Sequence, residues 1–257
     1  MLILLPPSEG KTAAAKGHPF ELSELHFPEL NPAREEVLNA LAHVSSQPDA
    51  LVSLGVGASL AAEVERNTRL HNEPSAAAHT VYSGVLYDAL GYRTMTPAQK
   101  RKADAAVVIV SALWGAIAFP DFIPAYRLSM SVGLPETGKL ASYWKKHLPA
   151  ALDAHADGHL LVDCRSSSYA AAWSPAADRT VVVNVFQERN GKRTVVSHFA
   201  KHTRGELARH LLTRRGKAPE TPGSLLKAAQ EKWQAELAAG TARKPHALNI
   251  ILPELAG

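Results

Sequence analysis

The chain alternates short apolar runs with longer amphipathic stretches. Leu2 to Leu5 is wholly apolar and runs straight into Pro6-Pro7. No basic segment precedes it, so a short buried strand is predicted rather than a signal sequence. Asn31-Pro32 opens an amphipathic segment, Ala33 to Val44, with Asn31 expected as helix cap and Pro32 at the first helical position. Leu51 to Arg69 predicts two short helices around Gly55-Val56-Gly57, and Thr96-Pro97 repeats the cap-then-proline pattern. Ala105 to Ala112 is continuous and rich in β-branched residues, as expected of a central strand covered on both faces. Lys139 to Ala154 carries Leu140, Tyr143, Trp144, Leu148 and Leu152 at helical spacing, and His159 to Cys164 predicts a second central strand. Asn190-Gly191 between Thr180–Glu188 and Thr194–Phe199 is a strong hairpin signal. Arg204 to Arg215 predicts a basic helix, Leu225 to Ala239 another, and Ala247 to Leu252 a last strand. This irregular mixture predicts a single-core α/β unit spanning residues 1–257, a mixed β-sheet flanked by helices.

Composition narrows the class. Hydrophobic residues make up 46% of the 257 and charged residues 20%, which suits a folded globular chain and argues against disorder. No apolar run approaches the roughly 18 residues of a membrane span, so no membrane role is expected. Cys164 is the one cysteine, which excludes an internal disulfide and a four-cysteine zinc site and fits a reducing, cytoplasmic setting. The net charge of +4 favours an acidic partner only weakly, and the placement of the charge carries more.

Several constellations could carry chemistry. Pro6-Pro7-Ser8-Glu9-Gly10-Lys11-Thr12 ends like a phosphate loop, but the glycine that a Walker motif needs five positions before Gly10 is Leu5, so a P-loop is rejected. What remains is a polar loop at the end of a strand, where α/β proteins commonly place sites. Glu9 could act there as base or counter-charge and Lys11 as an anion contact. Leu54-Gly55-Val56-Gly57 resembles a helix-hairpin-helix turn, in which Gly55 and Gly57 would let backbone approach a phosphate; capping glycines between two core helices are the plainer explanation. Tyr126-Arg127 begins a segment in which Arg127 could clamp an anion or form a structural ion pair. Asp163-Cys164-Arg165-Ser166-Ser167-Ser168-Tyr169 ends a strand in hydroxyls, with Ser168 and Tyr169 as polar candidates and Cys164 read as a buried thiol. No Gly-x-Ser-x-Gly elbow is present, which argues against a serine hydrolase.

From Lys201 to Lys217 there are six Lys or Arg and one acid, Glu206. Thr203 with Glu206 reads as a capping box, which would set Lys201 and Arg204 around a helix N-terminus. His198 and His202 are four apart but fall across a predicted strand end, and no His-Glu-x-x-His occurs, so no metal site and no cofactor are expected.

These segments, in this order, look like a known family. The Met1-to-Leu4 strand, Lys11-Thr12, Tyr82-Ser83-Gly84 with Tyr87, Ser111 to Gly115, Pro124 to Leu128, the region ending at Tyr169, and Phe199-Ala200-Lys201 with Arg204-Gly205 resemble the YaaA family of peroxide-stress proteins (UPF0246 type) over nearly the whole chain. The family's opening usually reads Ser-Pro-Ala-Lys-Thr, so this chain keeps Lys11 and Thr12 and places Glu9 outside the pattern. The resemblance implies a family-specific mixed α/β fold with a positively charged cleft and a helix-hairpin-helix-like element. It also implies a cytosolic role limiting damage from hydrogen peroxide and intracellular iron, with sequence-nonspecific binding of duplex DNA as the proposed activity.

Two main readings stand side by side. In the first, Lys11, Arg127, Lys201 and Arg204 contact DNA phosphates, with Gly55 and Gly57 allowing backbone approach. In the second, an enzyme holds a small anionic metabolite or nucleotide in a pocket lined by Lys11, Tyr126, Arg127, Ser168, Tyr169, Lys201 and Arg204, with Glu9 or Lys11 moving a proton. A weaker third is redox sensing through Cys164. Convergence of these side chains in one closed pocket too narrow for a duplex favours the second reading, and their separation into different solvent-facing patches ends it.

Overall fold

The computed structural model describes residues 1–189, 192–195 and 197–253. In chain order the strands of the main sheet are β1 (Leu2–Leu5), β2 (Val107–Ser111), β3 (Gly115–Ala118), β4 (Leu161–Asp163), β5 (Thr180–Arg189), β6 (Lys192–Val195), β7 (Gln234–Ala238) and β8 (His246–Leu252). The helices used below are α1 (Asn31–Ser45), α2 (Ala50–Ser53), α3 (Ala61–Arg66), α4 (Val85–Leu90), α5 (Pro97–Ala106), α6 (Leu140–Ala156), α7 (Ser167–Ala170), α8 (Ser197–Thr213) and α9 (Pro222–Gln230).

The sheet is mixed, as predicted, and mostly parallel at its centre. Its order is β7-β8-β5-β4-β1-β2-β3, with β6 paired to β5. β1 lies parallel between β2 and β4, with Leu4 opposite both Val108 and Asp163. β5 continues the parallel set on β4, and β8 on β5. Strands β3, β6 and β7 are the antiparallel additions. All four residues of β1 and all five of β2 are buried, which matches an apolar sequence broken only by Ser111 at the end of β2. Because β1, β2 and β4 run the same way, their C-terminal ends share one edge of the sheet.

Several boundaries differ from the sequence expectation, each for a local reason. Asn31 is not the cap of α1 but its first residue. Its side chain instead donates to the Leu22 carbonyl and accepts from Arg34 Nη1. Arg34 is fully buried and also donates to the carbonyls of Trp114, Ala116 and His26, so this corner is organised by a guanidinium rather than by a cap. Ala105 and Ala106 complete α5, whose Thr96–Gln99 capping box forms as predicted. The strand expected over Thr194–Phe199 is β6, which stops at Val195, and the turn at Asn190-Gly191 lies outside the described residues. Helix α8 therefore begins at Ser197, two turns before the predicted start. Thr203 is buried mid-helix and caps nothing, so Lys201 and Arg204 occupy the second turn rather than the helix start. The helix expected over Leu225–Ala239 ends at Gln230, and Gln234–Ala238 forms β7 on β8. Ala235 and Leu237 point inward at a period of two, and pairing with β8 satisfies a strand edge that a longer helix would leave open.

Helices α4 and α8 meet at Gly205, where a Cβ would sit 2.1 Å from the Leu86 carbonyl oxygen and 2.9 Å from the Ala89 Cβ. Glycine inside a helix ordinarily weakens it by about 1 kcal/mol against alanine. Here the close approach reverses that sign. Gly205→Ala is expected to lower unfolding stability by about 1–3 kcal/mol in urea titrations, instead of raising it.

Candidate functional site

The loop leaving β1 is pinned on both sides. Thr12 N–H donates to the Val81 carbonyl at 2.8 Å, Ser83 N–H to Ser8 Oγ at 3.0 Å, and the Tyr87 hydroxyl to the Pro6 carbonyl at 2.8 Å. Lys11 folds back beneath the same loop. Its Nζ donates to the carbonyls of Ser8 at 2.8 Å and Glu9 at 3.3 Å, and lies 4.2 Å from the centre of the Tyr126 ring. The residue as a whole is half-buried, but the amino group is enclosed. Burial pushes the ammonium down to about 7, with Glu9 opposing, Arg127 adding to the fall and Glu63 opposing again.

Beneath Lys11 runs a buried chain of hydroxyls. Ser111 Oγ accepts from the N–H groups of Leu113 and Trp114, so its own proton is directed to the Tyr126 hydroxyl at 2.7 Å. Tyr126 and Tyr82 hydroxyls lie 3.0 Å apart. Burial holds both phenols well above their ordinary range, so they stay protonated.

Arg127 reaches the loop from the other side. Its Nη1 donates to the Glu9 carbonyl at 2.9 Å, and its guanidinium lies 3.7 Å from the carboxylates of both Glu9 and Glu63. Asn67 fixes the Arg127 backbone by accepting from its N–H and donating to its carbonyl. Asn67 in this role is not legible from sequence, since a lone asparagine after a helix carries no signature.

A cleft of about 230 Å³ opens at the shared C-terminal edge of β1 and β4. Glu9, Tyr169, Lys201 and Arg204 line it, joined by Ser8 and Ser166. Arg204 Nε and Nη2 donate to the Val183 carbonyl of β5 at 3.1 and 2.8 Å, which aims the guanidinium from α8 towards the cleft and leaves Nη1. Lys201 is exposed and makes no hydrogen bond or ion pair among the described residues. The Tyr169 hydroxyl is raised to about 12, chiefly by burial and then by Glu9, and remains a donor at neutral pH.

The other sequence candidates are placed elsewhere. Lys11, Tyr126 and Ser168 are outside the cleft lining. Ser168 hydroxyl contacts Ser166 Oγ at 3.3 Å. Gly55, with φ of +65°, opens onto a second hollow of about 400 Å³ with Glu9, Arg127, Ser129 and Ser131, while Gly57 does not line it. Glu9 thus stands between two hollows, and the four basic candidates do not share one. The α2-to-α3 connection is a turn between two short helices, and α3 directs Glu63 at Arg127. His198 and His202 both fall on α8 rather than across a strand end; His202 pairs with Glu206 at 3.4 Å, and the His198 side chain is outside the described ones. Among the described residues no three His, Cys, Asp or Glu are grouped to hold a metal ion. No helix among them is long and apolar enough to cross a membrane.

Comparison with known sequences decides the family. The sequence model of the family described as "Peroxide stress protein YaaA" matches residues 1–237. The chain belongs to this family. It is 40% identical to a UPF0246 protein of Streptomyces coelicolor across 99% of this chain and 100% of that one. A UPF0246 protein of Corynebacterium efficiens is 43% identical over 83% of this chain and 85% of its own length, and one of Corynebacterium glutamicum is 40% identical over 82% and 84%.

For a member of a YaaA peroxide-stress family, the state of the sulfur is of direct interest. Cys164 is fully buried at the floor of the cleft, and burial raises its thiol to about 12 against a smaller opposing effect of Arg204. At neutral pH the thiol therefore stays protonated, whereas the thiolate is the form that reacts with peroxide. Cys164→Ser is expected to leave peroxide tolerance of cells unchanged, and the native thiol should resist alkylation until the chain unfolds.

Lys11 yields a second prediction. Its folded value lies below that of the unfolded chain, so between about pH 7 and 10 the unfolded state binds the extra proton and stability rises with pH. Urea titrations across this range should show that rise in the native protein and its loss in Lys11→Met.

Proposed function

We propose that this YaaA-family protein is a cytoplasmic protein that holds a small anionic metabolite or nucleotide in the cleft beyond β1 and β4. The observation that carries the reading is Lys201, a cation without a partner among the described residues, facing the same 230 Å³ hollow as the guanidinium of Arg204. Two positive groups with the Ser166 and Tyr169 hydroxyls give a phosphate or carboxylate both charge and directed donors, while the Ser8 hydroxyl is committed to the Gly10 carbonyl. Glu9, with its side chain 55% exposed, is the one carboxylate in the lining and the residue placed to accept a proton from a bound substrate. The peroxide-stress role suggested by the family name would then depend on this ligand, as would any effect on iron.

The duplex-DNA reading draws less support from the arrangement of charge. Arg209 and Arg214 of the basic run are committed to the carbonyls of Leu90 and Gly91 and to Glu231. Arg127 is flanked by two carboxylates. A backbone-gripping surface needs several unpaired cations along one track.

Calorimetry with pyrophosphate as the probe tests the proposal. The native protein is expected to bind it, and Lys201→Ala to weaken binding about tenfold, the effect of losing one charged contact. Arg209→Ala, away from the cleft, should leave the affinity unchanged. Absence of pyrophosphate binding, together with duplex binding that falls with salt at a log–log slope of about −5 or steeper, would overturn the small-anion reading.

A further inference from the structure

The 230 Å³ cleft is small for a whole metabolite, since ligand pockets usually measure about 300–1,000 Å³. A neighbouring hollow of about 370 Å³ shares two lining residues with it, Ser83 and Tyr87. The two lie along α4. Val85 and Leu86 face the cleft, whereas Asp88, Leu90 and Gly91 face the neighbouring hollow. From Gly84 to Gly91 is seven residues, a span of about 10 Å at helical rise.

The linings differ in kind. The cleft carries the two cations. The neighbouring hollow carries an aromatic wall: Tyr92 is stacked on His79 with ring centres 3.9 Å apart and lies edge-on to Phe119 at 5.3 Å. The Tyr92 hydroxyl donates to Asp104 at 2.9 Å, which fixes the ring. Around this wall stand an acceptor, Asp88, and a donor, Arg93, both exposed and neither paired among the described residues. Thr12, Thr80 and Ser83 add hydroxyls near the junction. An alkyl or acyl chain would use none of these groups. A planar heterocycle packs against this wall, in which Tyr92 already carries His79 and has Lys100 Nζ 5.4 Å from its ring centre, and meets the charged pair through its edge.

We propose that the ligand is a nucleoside monophosphate, with its phosphate between Lys201 and Arg204, its sugar over Ser83 and its base in the hollow beside Tyr92. Ser83 and Tyr87, which line both hollows, set the sugar position at their junction. This inference rests on the small-anion reading and adds the identity of the far end of the ligand.

Calorimetry with the 5′-monophosphates of adenosine, guanosine, cytidine and uridine tests it, with ribose 5-phosphate as the base-free probe. At least one monophosphate is expected to bind about tenfold more tightly than ribose 5-phosphate, the contribution of one stacked base. The double variant Asp88→Asn with Arg93→Ala should remove most of that advantage and leave ribose 5-phosphate binding unchanged. Both positions are exposed, and a native melting curve verifies that the variant is folded. Equal binding of all five probes, each still weakened by Lys201→Ala, overturns the nucleotide assignment and leaves the anion cleft standing. No binding of any probe overturns both.

Discussion

A four-residue strand with no polar side chain governs the placement of everything else. β1 is hydrogen-bonded in parallel on both sides, so neither edge and neither face of it is available to solvent. Its chain can emerge only at its ends. The C-terminal exit coincides with that of β4, because parallel pairing brings those ends to the same edge. The polar loop from Ser8 to Thr12 must therefore meet the segment from Cys164 to Tyr169. The close approach of α4 and α8 at Gly205 then brings Lys201 and Arg204 over this junction.

Charge in this protein is sorted by depth. Arg34 and Arg165 are buried and surrounded by acceptors: Arg165 pairs with Asp163 through Nε and Nη2 and also donates to the Trp173 carbonyl, closing the end of β4. Lys11 and Arg127 hold the β1 loop through its carbonyls. A buried cation stripped of such partners would cost several kcal/mol, so these groups are fixed in place. Lys201 at the cleft, and Arg93 with Asp88 at the neighbouring hollow, lack such commitments. Each of the two hollows thus has charged residues free to change partner.

Much of this was legible in the sequence, and the exceptions have physical causes. β1, β2 and β4 were readable because a strand covered on both faces is apolar along most of its length, with polar Ser111 and Asp163 only at the ends of β2 and β4. The Thr96 cap was readable because its signature is local. The start of α8 was not, because Thr203 and Glu206 have the spacing of a capping box while burial of Thr203 against the core decides otherwise. β7 was missed because Gln234 to Ala238 is compatible with a helix until β8 offers it a partner. Of the site candidates, Glu9, Tyr169, Lys201 and Arg204 meet in one cleft, whereas Lys11 and Arg127 lie around it as supports. Sequence shows which cations are present, but whether a carbonyl or carboxylate has already claimed one is a property of the tertiary fold. The family resemblance, by contrast, rested on the order of segments along the whole chain, and it held over residues 1–237.

The buried sulfur has a consequence for oxidation. Cys164 is sealed, and of the three methionines Met95 and Met130 are buried as well, leaving only the half-buried Met1 near the surface. An oxidant burst thus finds little on this molecule to alter. Sulfur chemistry on the folded chain is thereby confined to the Met1 thioether, and the thiol becomes reachable only when the β4 end of the sheet opens.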